Sequence, residues 1–184
     1  QLNYQIVLPN SPCDFSSNVD GDLFKDMLTP SIPIINSISV DTLNNSFVTI
    51  NWNVNNQPDT YGYVIYGINS SGFLVEIDTV WGINTTSYIQ SINVTEPLTY
   101  SVAAFDSCFT AAIPPTYQTS AKANPSASMY LNYELQICDN TIDLSWTPYS
   151  GWPSIQTYEV YGRKNNGNYI LMGTGSSTSA TLNV

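Results

Sequence analysis

The sequence predicts an all-β chain built of tandem β-sandwiches, and three observations predict it. Apolar and polar side chains alternate with period two. Between Phe47 and Val54, the side chains of Val48, Ile50, Trp52 and Val54 share one face, and those of Phe47, Thr49, Asn51 and Asn53 share the other. Turn signals such as Asn69-Ser70-Ser71-Gly72 separate the alternating stretches. The chain also repeats itself. VTINW (Val48 to Trp52) is echoed by IDLSW (Ile142 to Trp146), YVIYG (Tyr63 to Gly67) by YEVYG (Tyr158 to Gly162), and FLVEI (Phe73 to Ile77) by YILMG (Tyr169 to Gly173). The offset is 94 at the tryptophans and 95 at the second tyrosines. Tyr4 to Cys13 echoes Tyr100 to Cys108 at nearly the same distance. A repeat this long does not fit a helical solenoid, but it fits a sandwich the size of an immunoglobulin domain.

The elements follow in order. Residues 1–31 read as the last two strands, F and G, of a preceding unit plus a linker that ends near Pro30 and Pro33. Residues 32–124 read as one complete unit with strands A 33–41, B 46–54, C 61–68, C′ 73–80, E 86–92, F 98–106 and G 116–122. Trp52 is expected to point inward from strand B. KANPSA (Lys122 to Ala127) reads as a linker. Residues 125–184 read as an incomplete second unit with A 128–137, B 140–147, C 155–163, C′ 168–173 and E 178–183, and without F and G. Asp22 to Leu28 has some helical spacing but is too short to hold a helix.

Composition excludes several functions. Lys and Arg number 4 against 14 Asp and Glu, the formal net charge is -10, and there is no His. The four cations, Lys25, Lys122, Arg163 and Lys164, are too few and too scattered to neutralise a phosphate backbone, so no nucleic-acid partner is expected. Without His there is no imidazole metal site, no His general base and no His-based triad. Neither a cofactor nor a metal is expected. No apolar run reaches the roughly 18 residues that cross a bilayer, so membrane insertion is not expected. At 42% hydrophobic and 12% aromatic, the chain can still bury a core. Its polarity comes from Asn, Ser and Thr, roughly a third of all residues, where charge would be more usual.

Particular residues carry a family resemblance. Each repeat has an inward tryptophan on strand B (Trp52, Trp146) and a Tyr-x-hydrophobic-Tyr on strand C (Tyr63 and Tyr66; Tyr158 and Tyr161). Tyr100 opens strand F after the acidic turn Glu96-Pro97, with the proline one position nearer the tyrosine than is usual. The chain thus resembles tandem fibronectin type III, or immunoglobulin-like, β-sandwiches. The resemblance implies a core of Trp52, Trp146, Tyr66, Tyr161 and Tyr100. It also implies a tyrosine corner, in which the Tyr100 hydroxyl bonds to backbone a few residues upstream. AFDSC (Ala104 to Cys108), TIDLSWTPYSGW (Thr141 to Trp152) and the run from Tyr158 to Thr174 are similar to repeats of large secreted surface proteins of gliding bacteria of the Bacteroidetes type. That similarity implies an extracellular, cell-surface setting. It also implies a non-catalytic role in spacing and adhesion, with neighbouring repeats, extracellular proteins or glycans as partners.

Several candidate sites compete with plainer readings. The acidic, Asn- and Ser-rich sandwiches favour an oxidising compartment, where Cys108 and Cys138 are a candidate disulfide. The two lie at opposite poles of their units, so pairing needs folded-back domains with Cα atoms within about 7 Å; otherwise they are buried thiols. No His is present to activate a catalytic cysteine. Ser16, Asn18, Asp20, Gly21 and Leu23 partly imitate a calcium loop, but Asp26 falls one place short of the bidentate position, which favours a solvated turn. Asp139 and Asp143 form no convergent acid pair. Trp81 and Trp152 fall in or near loops and, with Tyr149, are candidates to stack on sugar rings, as an accessory carbohydrate-binding module would; the plainer reading has each tryptophan cover the end of its own sandwich or pack on the next domain. Sequons at Asn44, Asn69, Asn84 and Asn93 are expected in number from composition alone. An incomplete sandwich exposes a strand edge, so the head of one molecule is expected to complete the tail of another by strand swapping.

Overall fold

A computed structural model describes residues 2–8, 15–22, 28–43, 45–110, 113–151, 157–165 and 167–183. Among these residues the chain is all-β, with seventeen strands. The central unit is a sandwich. One sheet holds β5 (Ile35–Val40), β6 (Phe47–Trp52) and β9 (Ser87–Ser91) in that order. The other holds β11 (Tyr117–Thr119), β10 (Thr99–Phe109), β7 (Thr60–Ile68) and β8 (Leu74–Trp81), and β12 (Ser126–Ala127) pairs with the start of β10. All these pairs are antiparallel. The two sheets are A-B-E and C′-C-F-G, the arrangement expected of the fibronectin type III-like class.

The alternation explains the core. Val48, Ile50 and Trp52 enter it from β6, and Ile38 enters from β5. Tyr63 and Ile65 come from β7, and Tyr100, Val102 and Ala104 from β10. Burying a side chain of this size contributes about 1.5–3 kcal/mol. Trp52 is 2% exposed and meets Tyr63 edge-on, with centroids 5.3 Å apart. The same pair recurs one repeat later, where Trp146 of β14 and Tyr158 of β15 stand edge-on at 5.5 Å.

That pairing corrects the expected core tyrosines. Positions 63 and 66 are three apart, so a period-two strand cannot turn both to one face. Tyr63 is wholly buried, while Tyr66 is half-buried under the Lys122 ammonium, 4.1 Å from its ring centre. In the second unit Tyr158 meets the tryptophan, and Tyr161 is 51% exposed, its hydroxyl donating to Glu159. The Tyr100 hydroxyl also departs from the expected corner. It donates to the Gln90 side chain at 2.7 Å and not to upstream backbone. Burial, and then the neighbouring Tyr88, push the Tyr100 phenol up to about 12.

The flanking segments show fewer strands among the described residues. β1 (Leu2–Tyr4) pairs with β4 (Asp20–Asp22), and β2 (Val7–Leu8) pairs with β3 (Phe15–Ser16), making one antiparallel hairpin. Tyr4, Ile6, Val7 and Val19 are exposed along it. In the second unit β13 (Leu131–Gln136), β14 (Thr141–Trp146) and β17 (Ser179–Asn183) form an A-B-E sheet. β15 (Tyr158–Gly162) pairs with β16 (Ile170–Gly175). No described residue from Met129 to Asn183 is buried.

Candidate interaction site

Two features could carry function: the junction between units and an aromatic cluster on the central sandwich. Residues 122–127, expected as a linker, run instead along β10. The Ala123 amide donates to Val102 O at 2.8 Å, and the Ser101 hydroxyl donates to Ala123 O at 2.7 Å. Thr99 and Tyr100 stand opposite Ala127 and Ser126. The Ser128 amide donates to Leu98 O at 2.9 Å, and its hydroxyl accepts from the Leu98 amide at 3.0 Å. Small residues (Ala123, Ser126, Ser128) let this segment lie flat on the sheet edge and be buried there.

The second unit then reaches back. Ala127 and Ser150 form an isolated bridge. Gly151 has φ of +103° and presses on Ser126, whose Cβ lies 2.6 Å from where a Gly151 Cβ would stand. Only glycine combines that backbone angle with that approach. Tyr149 packs against the central core, and its hydroxyl accepts the Ile38 amide proton at 2.7 Å. Ile38 lies on β5, an edge strand, so this bond satisfies an edge donor that water would otherwise take.

The aromatic cluster lies at the far end of β8. The register sets Trp81 opposite Gly62, Gly62 opposite Phe105, and Phe105 opposite Thr119. Gly62 has no side chain, which leaves room for the Phe105 ring. A Cβ there would come within 2.7 and 2.9 Å of the ring and closer still to the Val80 carbonyl. The pairing of β7 with β10 skips Tyr61, since Gly62 faces Phe105 and Thr60 faces Asp106. This bulge turns the Tyr61 ring onto the same face. Trp81 stands edge-to-face with Tyr61, Phe105 and Tyr117 at 5.3, 5.2 and 5.9 Å. Phe109 stacks on Tyr117 at 4.8 Å. Phe105 is the buried floor, whereas Tyr61, Trp81 and Phe109 are 47%, 54% and 58% exposed.

The structure thus separates the candidate stacking residues. Trp81 joins the cluster, Tyr149 lies in the junction, and Trp152 lies outside the described residues. Sequence reasoning missed Tyr61, Phe105, Phe109 and Tyr117. The signal for them was Gly62, one of two glycines inside strand C, because a glycine within a strand marks a bulge or a close approach.

The remaining candidates are placed as follows. Cys108 is half-buried on β10, Cys138 is exposed after β13, and no disulfide joins them. Cys13, Leu23, Lys25, Asp26 and Asn44 lie outside the described residues. Among the described residues no group of three or more His, Cys, Asp or Glu could hold a metal ion. Asp143 accepts from the Thr181 hydroxyl at 2.6 Å and from the Gln136 amide at 3.1 Å. Burial, followed by the Glu76 charge, raises the Tyr66 phenol, and burial followed by a hydrogen bond to Asp78 raises Tyr88. No helix among the described residues is long and apolar enough to cross a membrane.

Among the described residues the chain is all-β, and its central unit is a β-sandwich with the fibronectin type III-like strand arrangement. No family model matches it, and no curated protein matches it. Among solved structures it is similar to the FN1–FN3 domains of chicken CNTN1 at 12% identity and a TM-score of 0.41, covering 98% of this chain. The chain spans 64% of that structure's length.

Proposed function

We propose that this chain is a non-catalytic spacer and interaction segment of a larger extracellular surface protein. The supporting observation is the junction. No free linker separates the central and second units, because residues 120–128 bond along β10 and the Tyr149 loop docks back on β5. Units joined in this way extend a surface protein at a fixed angle, whereas flexible linkers would let them collapse. The setting among surface proteins of gliding bacteria rests on the sequence of residues 104–108 and 141–174. Antibody raised against the chain should label intact cells of the source organism; labelling only after permeabilisation would overturn the extracellular reading.

Among the described residues β15 pairs only with β16, whereas the corresponding sheet of the central unit also holds β10 and β11, so the β15 edge is open to further strands. The Leu2–Asp22 hairpin matches those strands by repeat, so in solutions of this chain the hairpin of one copy is the segment suited to pair with β15 of another. Sedimentation at rising concentration should show mass above the monomer; a constant monomer would refute the exchange.

A further inference from the structure

We propose that the Trp81 cluster binds neutral polysaccharide chains by stacking their pyranose rings on Trp81 and Tyr61. A pyranose offers an apolar C–H face bordered by hydroxyls, and an aromatic ring amid hydroxyl groups matches both parts. Trp81 is the one exposed tryptophan among the described residues. Its ring stands nearly perpendicular to three neighbours, at 78°, 86° and 77°, and still leaves over half its surface open. That packing fixes the ring before any ligand arrives, so little side-chain entropy is lost on binding. Thr85 adjoins it, donating to the Trp81 carbonyl at 2.7 Å, and Thr119 lies across Phe105.

Charge chooses the ligand class. Lys122 is engaged over Tyr66, four residues along β7 from Gly62, Arg163 is engaged over Tyr169, and the chain carries -10. Among the described residues no cation is paired with a ring of the platform, and an anionic polymer would meet repulsion from the net charge of the chain. These ring contacts of the patch are all between aromatic side chains, and none involves a charged group. A neutral sugar chain fits these conditions.

The test is affinity electrophoresis of the full 184-residue chain through native gels cast with hydroxyethylcellulose, xyloglucan or galactomannan, and with alginate as the anionic polymer. The chain should be retarded by at least one neutral polymer and not by alginate. Trp81→Ala and Tyr61→Ala should each weaken retention about tenfold, equivalent to about 1.4 kcal/mol. Phe73→Ala, which removes an exposed ring at the turn between β7 and β8, should leave retention unchanged. Trp81→Phe keeps a ring over Phe105 and covers the case in which Trp81→Ala unfolds; it should weaken retention several-fold with the melting temperature preserved. Migration unaffected by all neutral gels, or equal retention of the wild type and both ring variants, would overturn the proposal. So would concentration-dependent self-association that Trp81→Ala abolishes without any polysaccharide retention, because the occupant would then be a second copy.

Discussion

Replacing Tyr63 by Phe removes one oxygen and leaves the ring in place. That oxygen joins two loops at one pole of the central sandwich. It accepts the Asn55 amide proton at 2.9 Å and donates to the Ile83 carbonyl at 2.9 Å. Tyr63 is fully buried, and Asn55 is buried beside it. Each bond contributes about 1 kcal/mol net, and a buried donor or acceptor left without a partner costs about 1–3 kcal/mol. Relief by water at the partly buried carbonyl sets the total near 2–3 kcal/mol. Tyr66→Phe is the matched control, because that ring is half-buried on the outer face. Urea unfolding at neutral pH should show a lower midpoint at constant slope for Tyr63→Phe and a change under about 0.5 kcal/mol for Tyr66→Phe. Equal effects of the two substitutions would refute the assignment of Tyr63 to the inside.

The Tyr100 phenol gives a pH dependence. Its folded value, about 12, lies above the ordinary value of 10. Below pH 10 both states keep the proton. Between 10 and about 12 the unfolded chain ionises first, so stability falls as pH rises, by about 2–3 kcal/mol in all. Against Tyr100→Phe, whose stability lacks this term, the wild-type advantage should shrink across that window; a constant difference would contradict it. Gly62→Ala places a Cβ against the Val80 carbonyl and the Phe105 ring, and should cost about 1–3 kcal/mol in urea unfolding. A loss under about 0.5 kcal/mol would mean that β7 and Phe105 yield easily.

Much of the fold was legible because alternation and repeat length are local signals. The strands of the central unit begin and end within about two residues of expectation, except that β10 runs on to Phe109 and β11 is shorter. Trp52 faces inward because its strand alternates without interruption from Val48. The resemblance places Tyr66 and Tyr161 in the core, yet Tyr63 and Tyr158 are the ones that meet the tryptophans, and residues three apart on a strand face opposite sides. The segment from Lys122 to Ala127 reads as a linker from Pro and Ala composition, yet its backbone groups find partners on β10, which only tertiary pairing reveals. Tyr149 reads as a stacking candidate for the same reason, since its partner Ile38 lies 111 residues away. The aromatic cluster depends on register and on the bulge at Tyr61. Neither follows from Trp81 alone, although Gly62 hinted at both.

The junction proposed above holds the central and second units at one angle. Residual dipolar couplings measured on the amides of β5 to β11 and of β13 to β17 test it directly. A fixed junction gives a single alignment frame for both sets in the wild type, split into two by Gly151→Ala, which forces a side chain against Ser126 at a positive φ. Two independent frames in the wild type would contradict it.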